Sequence, residues 1–211
     1  MFRFFAPRTP LSAARLALFA LAGAVMLVPA AKAQNILKNS SAAVSGFAQF
    51  TGTTTGDGIT DRPTRSAGAQ GAFRKSYHWW LGWEASYGYT RFAEYYTGQS
   101  YSYQHNMHEF GGSYLVQAPI GVLGFKPFAL AGVSAVVFSP SLNGGQNVSW
   151  QGRTGVNFAG GIDKALLTDH FGIRVQYRGV FYKTPDFNET ALTTGTSRLT
   201  SEPMAGVFLK F

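Results

Sequence analysis

The sequence predicts an all-β fold: an eight-stranded antiparallel up-and-down transmembrane β-barrel, preceded by a helical leader. Three observations predict it. Apolar and polar residues alternate with period two through most of the chain beyond residue 40, which is strand patterning. Most alternating segments run ten residues or longer, whereas strands of soluble proteins average about five or six and a tilted membrane strand needs about nine to eleven. The alternation also holds to the last residue: in "MAGVFLKF", Ala205, Val207, Leu209 and Phe211 share one face and Met204, Gly206, Phe208 and Lys210 the other. Chain ends of soluble domains are usually frayed and polar, so a strand kept up to Phe211 needs a partner on each side.

The leader comes first. Arg3, Arg8 and Arg15 precede the apolar run "LALFALAGAVMLVPA" over residues 16–30, and Ala31-Lys32-Ala33 supplies the small-x-small pattern for cleavage before Gln34. The run falls short of the roughly 18 to 20 residues that a helical span requires. The expected division is therefore a signal peptide over 1–33 and one barrel domain over 34–211. The longest later apolar run, "PFALAGVSAVVF" at 127–138, is also too short for a helical span. A closed barrel is the other way to satisfy every backbone group in lipid.

Eight strand segments follow, at 42–52, 66–75, 78–92, 101–118, 126–138, 152–165, 170–183 and 198–211. The clearest are "WWLGWEASYGYTR" at 79–91 and "FGIRVQYRGVFY" at 171–182. The gaps alternate in length. Long polar stretches fall at 53–65, 139–151 and 184–197, and an intermediate one at 93–100. Tight connections fall at 76–77, 119–125 and 166–169. Long loops at one end and short turns at the other is the layout of outer-membrane barrels. It places both termini on the periplasmic, short-turn side and the long loops outside.

Composition narrows the function classes. Charged residues make up 13% of the chain and aromatics 15%, a low charge and a high aromatic content for a water-facing surface. The net charge of +8 owes much to the leader's Arg3, Arg8, Arg15 and Lys32, and no basic block points to nucleic acid. With no cysteine, disulfides and thiolate metal sites are excluded. No cofactor motif is present. Gly111-Gly112, Gly144-Gly145 and Gly160-Gly161 do not join a strand to a helix start, so they are not phosphate cradles.

Placing the apolar faces toward lipid sends Arg74, Arg174, Arg178 and Lys210 inward, together with Glu84, Glu109, Asp163 and Glu202. An eight-stranded barrel is narrow enough for side chains to fill, and buried charges need partners. The expectation is a lumen filled by paired charges, with Arg178 and Glu202 at similar depth, Glu84 and Arg174 lower, and Tyr182, Phe208 and Trp80 helping to plug it. Aromatics such as Trp79, Trp83, Tyr89, Tyr95, Tyr96, Phe171 and Phe181 fit interfacial girdles. A carbohydrate platform built from Tyr95, Tyr96, Tyr101 and Tyr103 is the competing reading.

His105 and His108 do not make a metal site, because a spacing of three puts strand residues on opposite faces. Nor does a serine-type acyl-transfer site assemble. His78 and His170 fall by the short turns, and Glu109 lies roughly 13 Å along the strand from His105 at strand rise.

The segments "PFALAGVSAVVF", "NFAGGIDKALLTDHFGIRVQYRGVFY" and the terminal "VFLKF" resemble the later strands of the small OmpA/OmpX-type outer-membrane barrels, here without a peptidoglycan-binding domain. The resemblance implies a Gram-negative-type outer-membrane location and contact with outer-membrane lipid and lipopolysaccharide. It also implies handling by periplasmic chaperones and the barrel-assembly machinery, with Val207, Leu209 and Phe211 as the assembly signal. The expected state is a monomer that takes no cofactor and binds no nucleic acid. The expected role is structural or surface-interacting and non-enzymatic, with an external ligand that the sequence does not name. A small passive pore and an outer-leaflet lipid-modifying enzyme are the alternatives.

Overall fold

The computed structural model describes residues 37–118, 124–141, 148–166 and 168–211. The expected signal peptide and the expected cleavage residues Ala31, Ala33 and Gln34 lie outside them. Ten strands form one sheet: β1 (Ser40–Thr51), β2 (Thr54–Gly56), β3 (Ile59–Pro63), β4 (Ser66–Ser76), β5 (Leu81–Tyr96), β6 (Ser102–Gln117), β7 (Phe125–Pro140), β8 (Gln151–Leu166), β9 (Thr168–Lys183) and β10 (Ser197–Lys210). Eight of them, β1 and β4 to β10, pair in sequence order and antiparallel around a closed barrel. β5 pairs with β6, and the circuit closes where β10 meets β1. The closing seam pairs Val44 with Val207 and Ala42 with Leu209. The Phe211 N–H donates to the Ser40 carbonyl at 2.8 Å. Closure leaves the barrel no unpaired edge.

The remaining two strands are a correction to the sequence reading of 53–65 as a loop. β2 and β3 form a hairpin, and β3 pairs with the far end of β5 through Asp61↔Tyr96 and Pro63↔Glu94. The physical reason is that β5 outruns β4. It continues to Tyr96 through what reads as a loop at 93–100, and β3 occupies the edge that β4 leaves open. The Thr64 N–H donates to the Ala93 carbonyl at 2.8 Å, and the Ala93 N–H returns a bond to Thr64 Oγ1 at 3.0 Å. The β4–β5 turn lies at 77–80, later than the 76–77 expected, with the Tyr77 and His78 N–H groups both donating to the Leu81 carbonyl.

The outward face carries a continuous apolar band. Val44, Phe50, Tyr87, Phe110, Tyr114, Val133, Val156, Phe158, Val175, Tyr177, Phe181, Leu199, Val207 and Leu209 are all exposed. Soluble monomers rarely expose so large an apolar patch. Polar residues bound the band at both ends. Arg65, Arg91, Thr154 and Lys183 stand at the long-loop end, where Gln104 and Asn106 are also polar. Lys75, Lys164 and His170 mark the short-turn end. Beyond the band, β2 and β3 extend the sheet along the far end of β5.

Candidate functional site

The inward face is a column of buried charge in three layers, closed at the long-loop end by a folded-in segment. In the lowest layer, strand register sets Arg74 opposite Glu84 and Asp163 opposite Arg174. Arg74 Nε donates to Glu84 at 2.5 Å. Arg174 grips Asp163 with two bonds, of 2.7 and 2.9 Å. Two contacts then cross the lumen: Arg74 to Asp163 at 3.3 Å and Arg174 to Glu84 at 3.8 Å. The Phe128 ring lies under the Arg74 guanidinium at 3.9 Å, and Phe208 lies 5.5 Å from that of Arg174. This layer has two cations and two anions. It closes the top of a vestibule of about 620 Å³ that opens at the short-turn end.

The middle layer is built on Arg178. Its Nη2 donates to Glu109 at 2.5 Å, and Ser134 donates to the same carboxylate oxygen at 2.6 Å. Asn157 continues the chain of bonds onto Ser134 at 2.6 Å. Glu202, the register partner of Arg178, stays 3.9 Å from its guanidinium. Neither Glu202 carboxylate oxygen has a hydrogen-bond partner among the described residues. Two carboxylates therefore face one cation.

The upper layer contains residues that the sequence reading did not single out as inward charges. Arg198 donates to Asp61 Oδ2 at 2.7 Å and also to Glu94, and all three are buried. Arg198 Nε further donates to the Tyr182 hydroxyl at 3.3 Å. His105 is 1% exposed, with Nδ1 3.9 Å from Glu94 and its ring edge-on to Phe92 and Phe138. The signal for Arg198 was present, since it shares strand parity with Glu202. Its partners were hidden because Asp61 and Glu94 fall in stretches that read as loops.

Above this layer the segment 184–196 folds into the mouth. Phe187 and Leu192 are 1% and 0% exposed, packed among Phe92, Tyr96, Tyr103, Met107, Phe138 and Val180. Gln151 holds the turn by accepting the Asp186 and Phe187 N–H groups at 2.9 and 3.0 Å, and Arg153 pairs with Asp186 at 2.9 Å. Phe187 and Asn188 take left-handed backbone conformations, φ 49° and 61°. For a residue as bulky as Phe that is costly, and the buried ring offsets it. The β2–β3 hairpin presses so close that a Cβ at Gly56 would overlap the Thr194 carbonyl.

Some expected residues stand elsewhere. Lys210 is exposed at the short-turn rim and makes no ion pair among the described residues, because its flexible ammonium reaches water there. Trp80 is 41% exposed in the 77–80 turn, outside the lumen. Tyr96 and Tyr103 are buried under the lid, so only Tyr95 and Tyr101 of the four-tyrosine platform are exposed. His105 points inward while His108 points outward, its Nδ1 2.9 Å from the Tyr87 hydroxyl. Among the described residues no cluster has the make-up of a metal site. Val207, Leu209 and Phe211 are exposed on the outward face.

No family model matches this chain, and no curated protein matches it by sequence. Solved structures do match. Neisserial surface protein A is 17% identical, with a TM-score of 0.58, over 82% of this chain and 98% of that one. The outer membrane protein OprG from Pseudomonas aeruginosa is 14% identical, with a TM-score of 0.58, over 82% of this chain and 96% of that one. The chain thus has the fold of the small eight-stranded outer-membrane β-barrels.

Proposed function

We propose that this chain is an outer-membrane protein of a Gram-negative-type bacterium, with a structural or surface-interaction role and no catalytic one. Its long loops and the β2–β3 hairpin face outward, and both termini of the chain face the periplasm. The single observation that carries the reading is the filled lumen: three layers of buried charged side chains stack inside the barrel beneath the 184–196 lid. A wall with an apolar outer band and a closed interior offers its exposed loops, rather than its bore, as the working surface. The fold shared with a neisserial surface protein and a Pseudomonas outer membrane protein supports the same reading.

On this reading outer-membrane lipid and lipopolysaccharide surround the band. Periplasmic chaperones and the barrel-assembly machinery deliver the chain, and the folded protein is a monomer. Planar-bilayer recording tests the closed lumen, with only rare, small openings expected. Large steady conductance would overturn it in favour of the passive pore. A mass change in lipid A on expression would instead establish the lipid-enzyme alternative.

A further inference from the structure

The upper layer is one positive charge short. Among the described residues Arg198 of β10 is the only permanent cation facing Asp61 of β3 and Glu94 of β5, and His105 of β6 adjoins Glu94. The other titratable groups turned toward them are the phenols of Tyr96, Tyr103 and Tyr182, while the lid contributes Glu189 near Tyr103. Asp61, Glu94, His105 and Arg198 are each at most 2% exposed. An uncompensated charge in so dry a place is costly. The cluster is electroneutral when one proton is held among Asp61, Glu94 and His105. Asp61 Oδ1 and both His105 ring nitrogens have no hydrogen-bond partner among the described residues, so sites for that proton exist.

The same cluster touches the lid. The Tyr96 hydroxyl lies 3.0 Å from Glu94 Oε2 and 3.2 Å from the Pro185 carbonyl, bridging the two. The His105 ring sits 5.4 Å from that of Phe187. Lifting residues 184–196 would expose all four groups to water and remove the need for neutrality. We propose that closure of the 184–196 lid is coupled to uptake of one proton by the Asp61–Glu94–His105–Arg198 cluster, so that the cover loosens as pH rises above neutral.

Asp61 and His105 lie beyond the apolar band, since the residues flanking His105 are the polar Gln104 and Asn106 and Asp61 belongs to the β2–β3 hairpin, while Arg198 stands at its edge beside Leu199. Burial, and then the neighbouring Glu94, push the Asp61 carboxyl up from 3.8 to about 8 against the pull of Arg198. Burial holds the His105 imidazole below its ordinary 6.5, against the pull of Glu94. A raised carboxyl means that the closed state keeps a proton which the open state gives up, so closure weakens as pH climbs from 3.8 to about 8. A lowered imidazole means that the open state gains a proton which the closed state refuses, so closure weakens as pH falls below 6.5. Below 6.5 the two effects oppose each other. Between 6.5 and about 8 the carboxyl acts alone, and the open-to-closed ratio rises about tenfold per pH unit.

The chain has no cysteine, so Ala191→Cys on the exposed side of the lid gives a single nitroxide attachment site. Electron paramagnetic resonance of the labelled, refolded barrel in phosphatidylcholine bilayers reads lid mobility from pH 5.5 to 9. The expected mobile fraction climbs about tenfold per unit between about 6.5 and 8 and changes less steeply below 6.5. Asp61→Asn, which fixes the neutral form, is expected to erase that climb and to replace it with loosening below 6.5, where His105 then acts alone. His105→Gln is expected to extend the climb below 6.5. A mobile fraction independent of pH between 6.5 and 8 in the otherwise unaltered chain overturns the proposal, as does an unchanged climb in Asp61→Asn.

Discussion

Arg178 and Glu202 are direct register partners across the β9–β10 ladder, yet the Arg178 guanidinium gives its short bond to Glu109 on the far side of the lumen. Glu202 remains 3.9 Å away, 1% exposed and without a hydrogen bond among the described residues. The closest charge contact of this layer thus crosses the bore and ties β9 to β6, where adjacency along the sheet would have tied β9 to β10. The lowest layer differs: there the register pairs Arg74–Glu84 and Asp163–Arg174 are the tight ones, and the cross-lumen contacts are longer.

This geometry makes the two partners unequal on substitution. Arg178→Ala leaves Glu109 and Glu202 buried without a cation and should cost about 3–5 kcal/mol. Glu202→Gln removes the surplus charge at constant shape and should leave stability unchanged or improve it. Urea titrations of the refolded barrel, followed by its heat-modifiable gel shift, give both values. Equal losses for the two variants would show that Arg178 and Glu202 act as a simple pair.

The lowest layer calls for a double-mutant cycle. Asp163→Leu alone strands Arg174, which loses both bonds of its bidentate grip, and it also weakens Arg74. Arg174→Met on top of it should recover much of the loss, because an apolar pair of similar volume replaces an ion pair whose desolvation was costly. A double variant as unstable as the sum of the single ones would mean that the two residues are not energetically linked.

The barrel wall was legible because its rules are local: parity within a strand selects a face, and segment length separates membrane strands from soluble ones. Parity alone distinguishes the inward Arg74, Glu84, Glu109, Asp163, Arg174, Arg178 and Glu202, which the structure buries, from the outward Val207 and Leu209. The cap was illegible because its pairings are not local. Residues 54–63 form strands only because β5 overruns β4 and leaves an edge for β3. Phe187 and Leu192 sit in a Thr-rich polar stretch, where they carry no period. Lys210 had the right parity and the wrong depth, since parity says nothing of how near a residue lies to open water.

Within that cap, Phe187→Ala and Leu192→Ala should each cost about 2–5 kcal/mol of lid closure, the usual range for emptying a buried apolar site. The eight-strand wall should keep its heat-modifiable mobility. Limited proteolysis of intact and variant protein in bilayers reads this out, with new cleavage expected only within 184–196. Loss of the folded gel band would place the two residues in the barrel's core instead.

Asp186 anchors the lid from its outer side. Burial alone would raise its carboxyl, but the bonds from Gln151, the Asn188 N–H and Arg153 outweigh it and hold the carboxyl below its ordinary 3.8. A lowered carboxylate contributes stability that is complete above 3.8 and is lost as pH falls below it. Protease nicking at 184–196 should therefore increase on strong acidification, and Asp186→Asn should show that increase already at neutral pH. Nicking of Asp186→Asn that matched the unaltered chain at pH 7 would remove Asp186 from the anchor.

The closing seam gives a last prediction. Phe211 contributes the terminal hydrogen bond between β10 and β1, through its N–H to the Ser40 carbonyl, and an aromatic ring at the edge of the outward band. Deleting it removes one ladder bond among many, a small loss for a barrel already closed. Its larger effect should fall on insertion, where Val207, Leu209 and Phe211 present one outward apolar strip along β10. The deletion should lower the yield of heat-modifiable protein in the outer-membrane fraction, while the protein that does insert unfolds at nearly the same urea concentration. Normal yield with a lowered midpoint would reverse the argument and make Phe211 a structural clasp rather than an assembly determinant.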